Sequence, residues 1–122
     1  MTLEVSGLTH RYGSKTAVED VSFSLADGEI VGLLGPSGCG KTTIVQAIAG
    51  HLSPTAGRIG LRGEDVTRQP PERRRVSVVF QESTLYPHMT VGENVAYGLE
   101  AREIERSRID ELVETHLELV SL

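Results

Sequence analysis

Apolar positions alternate with polar ones early in the chain and run together later, and the two patterns predict different strands. Leu3 to Val5 alternates briefly and is broken by Gly7 and again by Tyr12-Gly13. Val18, Val21, Phe23 and Leu25 predict a half-buried strand whose period slips at Glu19-Asp20. Asp27-Gly28 then predicts a hairpin turn, since glycine tolerates positive φ. Ile30-Val31-Gly32-Leu33-Leu34 is continuously apolar, and Val76 to Phe80 nearly so. Both predict central strands buried on two faces, as in a parallel sheet under helices.

Helical periods separate these runs. Ile44, Ile48 and Leu52 recur every four residues beside Val45 and Ala49, predicting a helix with one apolar stripe that ends at Ser53-Pro54. Residues 57–63 alternate as a short strand, and Gln69-Pro70-Pro71 reads as loop. Thr90-Val91-Gly92-Glu93 has the spacing of a capping box and predicts a helix start. Ile109, Leu112, Val113, His116, Leu117 and Val120 predict an amphipathic helix, acidic outside, with His116 partly buried on its stripe. Hairpin, strand, helix, strand is the order of an α/β chain with antiparallel sheet attached.

Composition narrows the class. The 122 residues carry 12 Lys+Arg against 17 Asp+Glu, a formal net charge of −5. That balance argues against a free-standing nucleic-acid binder, and no nucleic-acid partner is expected. No apolar run approaches the length of a membrane span, and the start lacks the basic-then-apolar pattern of a secretory leader. The single cysteine, Cys39, fits a reducing cytosol. A soluble, acidic, cytoplasmic chain is the expectation. His10, His51, His88 and His116 lack metal-ligand spacing, and Arg73-Arg74-Arg75 reads as a solvated strand entrance.

The chemistry concentrates in Gly35-Pro36-Ser37-Gly38-Cys39-Gly40-Lys41-Thr42, which fits the phosphate-loop pattern G-x-x-x-x-G-K-[ST] between an expected strand and an expected helix. Gly35, Gly38 and Gly40 let the backbone curl so that N–H groups face phosphate oxygens. The helix N-terminus adds partial positive charge to the same anion. Lys41, one of only two lysines, can reach the β- and γ-phosphates, and the Thr42 hydroxyl, with Thr43 beside it, can ligate Mg²⁺. Cys39 is a small residue at a freely chosen position of the loop, within reach of alkylating agents.

Three stretches carry a family resemblance: Gly35 to Thr43, Val78-Val79-Phe80-Gln81, and Leu85-Tyr86-Pro87-His88-Met89-Thr90-Val91-Gly92-Glu93-Asn94-Val95. With them the chain resembles the ATP-binding subunits of ABC transporters, importers above all. The resemblance implies a P-loop NTPase core at about 30–56 and 75–82, antiparallel β structure at about 1–30 and 57–67, and the start of a helical subdomain at about 88–122. It implies ATP and Mg²⁺ as cofactors, Tyr12 stacking on adenine, and Gln81 touching both the metal and the attacking water. It also implies that Glu82 to Gly92 meets a transmembrane permease subunit, that the whole protein pairs as a homodimer or with another ABC subunit, and that it sits peripherally at the cytoplasmic face of the membrane.

The family pattern has further parts. After Gln81 there is no apolar run ending in Asp-Glu, no Leu-Ser-Gly-Gly-Gln signature and no switch histidine, so the resemblance covers the first half of the domain. Nucleotide binding without turnover is the expectation for these residues alone. Glu82 reads as a surface acid rather than a catalytic carboxylate. The alternatives are a soluble ABC ATPase without a membrane partner, or another P-loop nucleotide-binding protein. A GTPase is disfavoured by the absence of Asn-Lys-x-Asp.

Overall fold

A computed structural model describes residues 2–36, 38–82 and 84–122. β1 (Leu3–Tyr12) and β2 (Lys15–Leu25) form a long hairpin, and β3 (Ala56–Leu61) joins the other edge of β1. The two-residue β4 (Glu64–Asp65) closes an antiparallel sheet of order β2-β1-β3-β4. Gly7, expected to break the first strand, lies within it at φ 58°, and the ladder shifts register there in both pairings. A bulge absorbs the irregularity, so β1 continues for ten residues. Gly57 follows from the same crossing, because a Cβ there would stand 2.5 Å from the Gly7 carbonyl oxygen.

One face of this sheet builds the core. Leu3, Val5, Leu8, Val18, Ile59, Leu61 and Val66 are buried with Ile44 and Ala47 of α1 (Lys41–Ala49). The expected helical stripe is therefore real, but the helix stops earlier than Ser53-Pro54. Gly50 takes a left-handed conformation, its N–H donates to Ala47 O at 3.3 Å, and His51 N–H donates to Gln46 O at 2.9 Å. This is the Schellman closure that glycine favours.

Two strand expectations fail. Residues 30–34 and 76–80 are not paired in any sheet among the described residues, and Ile30, Leu34 and Val79 are 97%, 94% and 98% exposed. Apolar character favours burial, but a strand exists only where a neighbour supplies its ladder hydrogen bonds. The turn at Asp27-Gly28 forms, with Glu29 N–H donating to Ala26 O at 3.2 Å, yet it does not join two strands. The hairpin turn is Gly13-Ser14 instead. Gln69-Pro70-Pro71 leads into a short helix, α2 (Pro71–Arg74), with proline at its start, where the missing N–H costs nothing.

Residues 80–122 form a second unit. Within it α3 (Val91–Ala101) packs on α4 (Arg106–Leu119), burying Ala96 and Ile109. Thr90 caps α3 as expected, its hydroxyl oxygen accepting the Glu93 N–H at 3.1 Å. His116 departs from expectation. It is exposed, and its Nδ1 lies 2.7 Å from the Leu112 carbonyl oxygen, one turn back on its own helix.

Candidate phosphate-binding site

The loop from Gly35 opens α1 at Lys41. Ser37 lies outside the described residues. The turn closes with Cys39 N–H donating to Pro36 O at 3.2 Å, and the helical ladder begins with Ile44 N–H donating to Gly40 O at 3.0 Å. Gly40 is the N-cap at φ 97° and carries no capping side chain. A Cβ there would stand 2.6 Å from Ala17 O and 2.8 Å from Val18 Cγ2, so the loop is pressed against β2 where only glycine fits. An uncapped helix N-terminus offers its first-turn N–H groups and partial positive charge to an anion.

Lys41 stays on the loop. Its Nζ donates to Gly35 O and, at 3.3 Å, to Pro36 O, which holds the ammonium back on the loop's own carbonyls. Thr42 is exposed, whereas Thr43 is buried at 7% exposure. Cys39 is exposed and unpaired in any disulfide, and a Cβ on Gly35 would come within 2.6 Å of its sulfur.

Tyr12 ends β1 and is brought to this site from 31 residues away in sequence, its hydroxyl 3.4 Å from Thr43 Oγ1. Its ring is half exposed, and His10 meets it edge-on at 4.6 Å between centroids. A half-exposed aromatic suits stacking on a flat ligand. Gln81 is exposed at the start of the second unit, after residues 76–80 that run without strand partners, so it does not end a buried strand.

Residues 86–90 are tied together by Asn94, to which sequence pattern assigned no role, and Ser83 lies outside the described residues. Asn94 Oδ1 accepts the Tyr86 N–H at 2.8 Å, and Asn94 Nδ2 donates to Tyr86 O, Met89 O and Thr90 O. Tyr86 stacks against Tyr97 at 4.7 Å, and a hydrogen bond with Tyr97 raises the Tyr86 phenol above its ordinary range. Leu85 is 71% exposed, Tyr86 and Pro87 are exposed, and Met89 is half-buried.

Arg74 overturns the reading of a solvated basic cluster. It is 2% exposed, and its guanidinium donates to Ala47 O at 2.7 Å, Ile48 O at 3.2 Å, Gln69 O at 2.9 Å and Thr67 O at 3.1 Å. Burial lowers its pKa, and the four carbonyl oxygens supply the compensating negative potential. Its flanking arginines are exposed as expected. Local spacing held no signal for this difference.

A divalent ion at the loop would use the chemistry present. No group of three or more His, Cys, Asp or Glu side chains converges among the described residues. Magnesium bound beside a nucleotide takes one or two protein oxygens and fills its shell from phosphate and water. The exposed Thr42 hydroxyl fits that donor set.

A family profile described as ABC transporter matches residues 18–121. The spermidine/putrescine import ATP-binding protein PotA of Thermobifida fusca is 48% identical over 124 residues, covering 100% of this chain and 32% of that protein. The Fe(3+) ions import ATP-binding protein FbpC of Escherichia coli O157:H7 is 42% identical over 120 residues, covering 98% of this chain and 34% of that protein. The chain thus spans about a third of the length of these curated relatives. A solved ATP-binding subunit of an ABC transporter superposes with TM-score 0.77 at 30% identity, covering 88% of this chain and 45% of that one. A dimeric ATP-binding cassette in a post-hydrolysis state, bound to ADP and Pi, shares the fold at TM-score 0.83 and 24% identity, covering 98% of this chain and 57% of that one.

Proposed function

Because this chain belongs to the ABC transporter family, we propose that Gly35 to Thr43 binds the triphosphate of ATP with Mg²⁺ and that this binding energises import across a membrane in the whole protein. The observation that carries the reading is the uncapped N-terminus of α1, with Gly40 pressed against β2 and Lys41 folded over the loop carbonyls. On binding, Lys41 exchanges its two carbonyl partners for phosphate oxygens, a trade of neutral acceptors for charged ones that favours the bound state. Loop N–H groups fix the phosphates, and the half-exposed Tyr12 stacks on adenine. Thr42 would hold the metal, whose chemistry is to neutralise charge on the β- and γ-oxygens.

The remaining roles are part of the same proposal. Gln81 would orient the attacking water, as a neutral amide can both accept and donate. Pairing with a second cassette would complete the site, so residues 1–122 bind ATP without turning it over. The surface at Glu82 to Gly92, with Leu85 and Tyr86 exposed, would meet the permease subunit at the cytoplasmic face of the membrane. No helix among the described residues is long and apolar enough to cross that membrane.

Equilibrium dialysis with labelled ATP, with and without magnesium, tests the central step. Lys41→Ala is expected to lower retention by about tenfold or more, the size of a lost charge-assisted contact. Equal retention by both forms overturns the reading.

A further inference from the structure

α1 is a short helix held at both ends. At its start Gly40 lies against Ala17 and Val18, and Thr43 lies beside the Tyr12 hydroxyl. At its end the last-turn carbonyls of Ala47 and Ile48 accept from Arg74 Nη1, while Nε and Nη2 of the same guanidinium donate to Gln69 O and Thr67 O. The fork therefore ties the C-terminus of α1 to the strand-side segment that leaves β4, where Val66 N–H donates to Ile59 O of β3 at 2.9 Å. Gly50 makes room for it, since a Cβ at that position would stand 2.7 Å from Arg74 Nε. Arg62 Nη2 in turn donates to the Arg74 carbonyl at 2.6 Å.

We propose that Arg74 is a positioning residue for nucleotide binding: it sets the axial placement of α1 against the sheet and thereby the placement of the phosphate loop at the opposite end of that helix. The inference rests on the reading that this loop binds ATP. A nine-residue helix is nearly rigid, so a displacement of its last turn is passed to its first. Carbonyls at a helix C-terminus carry partial negative charge, which is why a cation is stable at this buried spot. A planar fork suits four acceptors spread over two segments, whereas a lysine ammonium has only three donors at one point.

The test uses Arg74→Lys and Arg74→Met in the 122-residue chain, with Leu61→Ala as a variant of the shared core that removes none of the Arg74 hydrogen bonds and Lys41→Ala as the binding control. Each is melted by circular dichroism, and Mg-ATP affinity is measured by fluorescence titration well below the lowest midpoint. The expected result is an affinity about tenfold weaker in Arg74→Lys, with Leu61→Ala melting early but binding as the unaltered chain does. Arg74→Met is expected to be weaker still, and Arg74→Lys alone decides the matter if the methionine variant does not fold. Unchanged affinity in Arg74→Lys overturns the inference while leaving the phosphate-loop reading intact. Equal weakening in Leu61→Ala also overturns it, as a general effect of stability. Failure of the unaltered chain to bind, or equal binding by Lys41→Ala, removes the reading itself and the inference with it.

Discussion

The β1–β3 sheet and the two apolar runs at 30–34 and 76–80 are built from the same residue types and end in opposite environments. Leu8 and Ile59 are fully buried, whereas Ile30 and Val79 are almost fully exposed. The sheet strands find partners within the described residues, β1 from β2 through a two-residue turn and β3 by antiparallel return. The apolar runs find none there. Hydrophobicity supplies the reason to be buried, and a hydrogen-bonded neighbour supplies the means.

The largest expected consequence falls on the sheet. Ile59→Ala should lower unfolding free energy by about 3 kcal/mol in urea titrations, through lost transfer energy and the cavity left behind. A loss no greater than that of a surface substitution would show the sheet core to be loosely packed.

A smaller effect is expected at the sheet's polar margin. Thr67 Oγ1 accepts the Ile59 N–H at 2.9 Å and donates to Asp65 Oδ1 at 2.6 Å. Thr67→Val removes the first partner and should cost about 1–2 kcal/mol, the range for a part-buried N–H left unpaired. The same hydroxyl is the main cause holding the Asp65 carboxyl below its ordinary range, with the Thr67 N–H next. A depressed carboxylate pKa contributes stability above its unfolded value, lost as pH falls through the folded one. In Thr67→Val the Asp65 titration followed by NMR should move up, and the acid limb of the stability curve should flatten.

The smallest effect belongs to the apolar runs. Ile30→Ser and Val79→Ser should each change stability by no more than about 0.5 kcal/mol, because surface positions contribute little. A loss near that of Ile59→Ala would mean that these side chains are covered in solution, and the contrast between the two regions would collapse.

How much could be read in advance follows from the range of each interaction. The glycine-rich loop, the helix that follows it, the Thr90 cap and the β3 strand were legible, since turn chemistry and capping act within a few residues. The early stop of α1 was legible in principle at Gly50, where local chemistry outranked the proline signal downstream. The unpartnered segment at 30–34 was not, for its neighbours would have to come from elsewhere in the chain. Nor was Asn94, whose four hydrogen bonds reach back as far as Tyr86.

Within the candidate site the division is the same. Composition and spacing alone set the types of group at Gly35 to Thr43, because a phosphate cradle is built from consecutive backbone N–H groups and one nearby ammonium. The fold exposed Thr42 and buried Thr43, brought Tyr12 to Thr43, and buried Arg74 while exposing Arg73 and Arg75. Three adjacent arginines are alike to any reading by pattern. Only carbonyls gathered from residues 47, 48, 67 and 69 distinguish the middle one, and long-range closure of the chain is what gathers them.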